Sequence, residues 1–282
     1  LDVISLSWAE AQKGNAMIFG CLPHPKCDRR AFFEELRNNG FEGVVRRYIG
    51  AQEHDESTTF FSKLKKWVRR QVLVFKRVKF SPFAWFRILK YNKFSSVILG
   101  HPLIFAASKV QIECAGQILL GGDLMLGHGY FKKPNRSTAL AVRKGGSLIT
   151  HGELTLRCGA NIEVFENACL EFGGEGGFSI DSTIICAERI KIDRYVMAGR
   201  NVTVRDNNGG HYINFPSYKN SKPVEIGKHA WLCEGCTVMG GVKIGAGAIV
   251  GAKAVVFGKV PANSMVVGNP AEVTCENVEW KY

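Results

Sequence analysis

Between residues 224 and 256 a branched aliphatic residue recurs every six positions: Ile226, Leu232, Val238, Ile244, Val250 and Val256. Two residues before each stands a second series of small residues or Val: Val224, Ala230, Cys236, Val242, Ala248 and Ala254. Turn-forming pairs such as Gly227-Lys228, Gly245-Ala246 and Gly251-Ala252 lie between them. A helix repeats near 3.6 and an ordinary strand near 2 with no superimposed six, so neither explains the pattern. A period of six fits a parallel β-helix of short flat strands and tight corners. Three units then make a triangular coil of about eighteen residues. The branched residue points inward and stacks on its copies above and below, and glycine suits corners that need positive φ.

The pattern continues upstream. Ile184, Ile190, Val196 and Val202 run in sixes beside Ile180, Cys186, Ile192, Ala198 and Val204. Earlier, Ile112, Ile118 and Leu124 run beside Cys114, Leu120 and Leu126. Residues 127–177 keep the texture but lose the phase, so insertions are expected there. The solenoid is expected over 108–270, with 271–282 as a tail. From Val204 to Ile226 is 22 residues, which is not a multiple of six. The polar, turn-rich stretch from Asp206 to Pro216 is therefore expected to leave the coil as a loop. Loops on rigid scaffolds are common places for chemistry.

Of 282 residues, 46% are hydrophobic and 22% charged, which is globular composition. No apolar run approaches the ~18 residues needed to span a bilayer; the nearest, Val97 to Ala107, is broken by His101 and Pro102. No export signal is visible, and a start at Leu1 reads as a fragment or processed product. Nine cysteines, scattered singly, read as reduced thiols in the cytosol.

The net charge of +12 is unevenly placed. No Asp or Glu occurs between Glu56 and Glu113, a window that holds twelve basic residues, while the remainder balances. A helix is expected from Thr58 to Lys79 with Phe60, Leu64, Trp67, Val68, Val72, Phe75 and Val78 on one face, inside a basic, aromatic region 58–107. Two uses stay open for it. Residues 58–94 read as a peripheral contact with the anionic inner membrane face, or the apolar face caps the open end of the coil. No nucleic-acid module is recognised, so nucleic acid is not expected. In the N-terminal segment, 1–57, Asp28 caps an expected helix from Arg29 to Asn39 that Gly40 ends.

The runs Ile226-Gly-Lys-His-Ala-Trp231-Leu, Gly240-Gly-Val-Lys-Ile-Gly245 and Val260-Pro-Ala-Asn-Ser-Met-Val-Val-Gly-Asn-Pro270-Ala resemble the hexapeptide-repeat acetyltransferases. Within them the chain looks most like the O-acetyltransferases of bacterial surface-polysaccharide clusters, from about Phe80 to Tyr282. The resemblance implies a mainly β fold, a left-handed parallel β-helix, assembled as a homotrimer with each site between neighbours. It implies acetyl-CoA as donor and a sugar or lipid-linked saccharide as acceptor. Trp8-Ala-Glu-Ala with Arg29 to Leu36 is faintly similar to the tail of coenzyme F420 hydrogenase β-subunit-like proteins, a fusion remnant without activity.

In this family a histidine after an Asp-containing turn is the general base, and that position matches His211, five residues beyond Asp206. The chemistry asks for such a group, because a sugar hydroxyl must lose its proton as it attacks a thioester. Asp206 or a backbone carbonyl is expected to hold the other ring nitrogen, and Asn208 stands where relatives place a second carboxylate. By the same resemblance Glu234, Ala252, Phe257 and Gly258 contact acetyl-CoA, a backbone N–H near Glu234 serving the oxyanion. Relatives grip the CoA phosphates with cations after Pro-Ala. Here Glu272 stands there, leaving Lys243, Lys253 and Lys259, which a solvated face explains as well. Trp231 either walls the acceptor site or packs at the coil edge.

Cys233-Glu-Gly-Cys236 reads as CxxC, but the repeat turns Cys236 inward, which makes a poor metal or redox pair. The zinc-bearing carbonic-anhydrase branch of the fold needs a close His pair that is missing, and no metal is expected. His229, at a corner, reads as structural. The reading is a cytoplasmic acetyl-CoA:sugar O-acetyltransferase. The alternatives are N-acetylation of a nucleotide-linked amino sugar, and a non-catalytic scaffold.

Overall fold

The computed structural model describes residues 60–78, 81–129, 136–209 and 211–281. The expected helix at 29–39 and the whole of segment 1–57 lie outside them. The solenoid belongs to the larger of two compact units, Trp67–Tyr282.

Every third strand pairs in parallel, which builds three sheets. The first holds β1 (Ile104–Ala106), β4 (Leu124–His128), β7 (Leu154–Arg157), β10 (Gly176–Phe178), β13 (Met197–Ala198), β16 (Trp231–Leu232), β19 (Ile249–Val250) and β22 (Ser264–Gly268). The second holds β2 (Val110–Cys114), β5 (Thr138–Val142), β8 (Asn161–Val164), β11 (Thr183–Cys186), β14 (Thr203–Arg205), β17 (Thr237–Val238) and β20 (Val255–Val256). The third holds β3 (Gln117–Leu120), β6 (Ser147–Thr150), β9 (Cys169–Phe172), β12 (Arg189–Ile192), β15 (Val224–Ile226), β18 (Lys243–Ile244) and β21 (Lys259–Val260). The architecture is the left-handed parallel β-helix. β23 (Ala271–Glu276) turns back antiparallel on β22.

The register follows the hexad. Leu232 pairs with Val250, Val238 with Val256 and Ile226 with Ile244, each eighteen residues on. Both inward series from residue 184 to 256 are buried. Upstream the phase is lost in two ways. The expected insertion falls between β4 and β5, where the step to the next coil is 28–30 residues, as in Ile112 with Leu140 and Leu124 with Leu154. Beyond it, coils lengthen to 22 residues, as in Leu140 with Ile162 and Ile162 with Ile184. Their strands run to four or five residues and bury two alternating side chains, such as Leu154 and Leu156 or Leu170 and Phe172. The stack therefore persists while the spacing changes. In the first coil Cys114 is exposed, not inward, because β2 starts its sheet with no coil beneath it.

Three helices precede the coil: α1 (Phe60–Val78), α2 (Pro82–Tyr91) and α3 (Phe94–Leu99). Val74, Val78, Ile88 and Val97 pack with Leu103 and Phe105 into a small core of their own. The expected apolar face of α1 is divided: Val78 is buried, whereas Val68, Val72 and Phe75 stay exposed. What turns inward beside Val74 is cationic. Arg70 grips the buried Asp123 through both nitrogens at 2.6 Å, and Arg77 bridges Asp123 (2.5 Å) and Glu153 (2.8 Å). Among the described residues no helix is long and apolar enough to cross a membrane.

Candidate functional site

The one long excursion among the late coils leaves at the corner between the second and third sheets. Ile190 pairs with Val224, 34 residues on, so about one coil's length is extruded between β14 and β15. Asn207 bridges Ser221 at its base. The Asn208 amide donates to Asn220 Oδ1 (3.1 Å) and to the Tyr218 hydroxyl (3.3 Å), and the Ile213 N–H donates to Asn220 Oδ1 (2.7 Å). A ring of asparagines thus ties the loop to itself. Lys222, on the return, donates its N–H to the Asp206 carbonyl at 2.7 Å.

Asp206 is fully buried. Its carboxylate accepts the N–H groups of Ala187 (2.7 Å), Glu188 (2.8 Å) and Arg189 (2.8 Å), and the Asn207 amide at 2.9 Å. Four N–H donors match the four lone-pair sites that a carboxylate offers, and the Cys186 thiol adds a weak fifth at 3.7 Å. Of the two partners expected for the other ring nitrogen of His211, Asp206 or a backbone carbonyl, the Asp206 carboxylate is engaged elsewhere: it holds the turn one coil below. The Cys186 thiol beside it is pushed well above the ordinary range, chiefly by burial and then by the Asp206 charge.

His211 stands exposed on the loop, and none of the hydrogen bonds among the described residues uses its ring. It lines a cleft of about 490 Å³ with Arg143, Glu163, Phe165, Asn208 and Tyr212. Arg143 and Glu163 pair at 2.7 Å across one wall. This wall was not read from the sequence, because it lies where the hexad phase is lost. A signal existed: Arg143, Phe165 and Ala187 follow Val142, Val164 and Cys186, the last residues of β5, β8 and β11, at steps of 22.

The candidate cofactor residues divide between two corners. Phe257 and Gly258 lie between β20 and β21, on the same corner as the loop. Glu234, Ala252 and Lys253 lie between the first and second sheets, after β16 and β19. There the Lys253 N–H donates to the Glu234 carbonyl at 2.9 Å. Lys253 takes φ 61°, where its coil neighbour is Gly235 at φ 70°, and its side chain lies over that glycine. Within one protomer the two groups are thus separated by the width of the second sheet.

Trp231 belongs to neither corner. It projects from β16 against Trp280 of the tail, ring centroids 5.6 Å apart. Trp280 also stacks on His229 at 4.1 Å and donates its indole N–H to the His229 carbonyl, so the pair staples the tail to the coil. Packing, the second of the two readings of Trp231, is what this protomer displays. Cys236 is buried and its thiol is pushed up to about 12 by burial, which leaves it protonated at neutral pH. Lys191, Lys243 and Lys259 line a second groove of about 440 Å³ on the outer face of the third sheet, where Lys243 pairs with Glu225 at 2.9 Å.

Residues 223–258 match the family described as bacterial transferase hexapeptide (six repeats). A protein of Escherichia coli (strain K12) named as a lipopolysaccharide biosynthesis O-acetyl transferase, WbbJ, is 28% identical over 143 residues, covering 47% of this chain and 73% of that protein. WcaF of the same organism, named for colanic acid biosynthesis as an acetyltransferase, is 47% identical over 60 residues, 21% of this chain and 33% of its own length. The crystal structure of the polySia-specific acetyltransferase NeuO overlaps 62% of this chain and 84% of its own, at 18% identity and a TM-score of 0.43.

Proposed function

We propose that this chain, of which residues 223–258 match the bacterial transferase hexapeptide family, acetylates a sugar hydroxyl of a bacterial surface polysaccharide or of its lipid-linked precursor. The observation that carries this reading is His211, an exposed imidazole at the edge of a cleft of about 490 Å³, its ring left unengaged by the described residues. A hydroxyl bound there meets an imidazole nitrogen that can take the proton as the oxygen attacks. The Arg143–Glu163 pair and Asn208 offer donors and acceptors to the other hydroxyls of a saccharide. The names of the Escherichia coli relatives support a polysaccharide acceptor.

Acetyl-CoA, when bound, supplies the activated acetyl group. The corner residues suit a narrow chain that needs close backbone approach. Gly258 has nothing within 4 Å of where a Cβ would sit, Phe257 offers an exposed ring, and Lys253 offers a cation. The Glu234 N–H, outside the backbone hydrogen bonds of its corner, suits an oxyanion. Since these residues divide between two corners, a complete site takes one corner from each of two protomers, which supports a homotrimer. The free thiols among the described residues fit a reducing, cytoplasmic setting.

The test is release of free CoA from acetyl-CoA with a panel of surface saccharides, followed by mass spectrometry of the product. An alkali-labile ester on the sugar is expected, and His211→Ala is expected to lower turnover by about 10²–10⁴-fold with acetyl-CoA binding nearly intact. An amide product would instead indicate an amino-sugar acceptor. Near-normal turnover in the variant would remove His211 as the base.

A further inference from the structure

The helical layer carries an outer surface that nothing in the solenoid accounts for. A surface helix normally turns its polar side outward. Here α1, α2 and α3 each bury one stripe and then present a second apolar one. Phe83 is 78% exposed, Phe86 69% and Phe94 67%, and Val72, Leu89 and Leu99 stand open as well. On α1 the spacing of Val68, Val72 and Phe75 puts them along one line, with the exposed Arg69 and Lys76 beside it. On α2, Phe83, Phe86 and Lys90 lie together opposite the buried Ile88. Lys93 adds a further exposed cation.

These cations differ from the segment's three committed arginines. Arg70 and Arg77 are spent on Asp123 and Glu153, and Arg87 donates to the Ala106 carbonyl. None of the ion pairs among the described residues uses Arg69, Lys76, Lys90 or Lys93. Nor does the sequence supply a local counterion, since no carboxylate occurs between Glu56 and Glu113.

We propose that this face docks on an anionic lipid bilayer. The charge selects among the surfaces that could cover it. A second copy would set one carboxylate-free segment against another, like charge on like. Anionic headgroups match the cations, while aromatic rings at that depth reach the boundary of the acyl chains. Docking is peripheral: the helices lie along the surface. The geometry fits an enzyme whose acceptor rides on a lipid, but the test reads partitioning and not turnover. It therefore stands or falls apart from the acetyl-transfer reading.

The full chain is sedimented with phosphatidylcholine vesicles that contain or lack phosphatidylglycerol. It is expected to pellet with the anionic vesicles, to stay in solution with the neutral ones, and to be released by high salt. Replacing Arg69, Lys76, Lys90 and Lys93 together with Gln is expected to weaken partitioning on the order of a hundredfold or more, at about fivefold for each of three or four charges that reach the surface. Phe83→Ser with Phe86→Ser is expected to weaken it at least tenfold at unchanged charge. All six side chains are exposed, so both variants are expected to keep the parent's thermal melt. No pelleting by the full chain would overturn the proposal. Equal binding to neutral vesicles, wild-type binding by the Gln variant, or binding of a single-stranded oligonucleotide without binding of vesicles would overturn it too.

Discussion

Asp206 and His211 stand five residues apart and meet opposite environments, and the difference is chemical. A buried carboxylate must have its lone pairs filled; Asp206 fills them with four N–H groups, three from the turn of the coil below. An exposed imidazole needs no such partners and remains open to a proton from solvent or substrate. Asp206→Asn is expected to destabilise by roughly 2–4 kcal/mol, because the amide brings two N–H groups to a site already full of donors. Thermal or urea melts measure that loss, and turnover per folded molecule is expected to fall far less than in His211→Ala. A variant that melts like the parent but has lost turnover would return Asp206 to the catalytic group. Lys253 makes a related point: it holds φ 61° without being glycine because its corner requires positive φ, as at its coil neighbour Gly235 (φ 70°) and at His229 (φ 56°).

At the scale of elements, the β-helix and the helix expected over 58–79, found as α1, were legible, whereas what anchors α1 was not, and both outcomes have physical causes. The coils from Ile184 to Val256 repeat because each inward side chain must stack on its copy, so the same constraint is written into every sixth residue. Where strands lengthen to bury two residues per side, the stack survives but the spacing no longer betrays it, and Arg143, Glu163 and Phe165 went unread. The loop showed itself as a break in the period, although the role of Asp206 did not, because it depends on a turn one coil away. α1 misled for a different reason. Its strongest apolar line faces solvent, while its anchor is Arg70 and Arg77 on Asp123, a carboxylate that lies 46 or more residues downstream. Asp123→Ala is expected to cost about 3–5 kcal/mol, since it leaves two half-buried guanidinium groups without their partner. Hydrogen exchange is expected to place the loss in α1 and β1 before the later coils. Uniform loss along the solenoid would mean that the pair does not anchor the helices.

For the molecule as a whole, the proposed site divides between two corners, and mixing variants tests that division where oligomeric state alone does not. In a ring of three, each site would join the His211 corner of one protomer to the Glu234–Ala252–Lys253 corner of the next. His211→Ala disables the first contribution. Ala252→Arg disables the second, and because Ala252 is exposed the larger side chain is expected to leave the fold intact. Each variant alone then forms only defective sites. Unfolded and refolded together in equal amounts, they assort at random. A site works when its His211 corner comes from the Ala252→Arg chain and its other corner from the His211→Ala chain, a combination found in about a quarter of sites. Recovery of about a quarter of parent turnover is therefore expected, from two proteins that show almost none apart. Absence of recovery in mixed trimers, verified by mass, would put both contributions in one chain. The pantetheine arm would then have to cross the second sheet within a single protomer. An Ala252→Arg variant that keeps parent turnover by itself would instead remove that corner from the site.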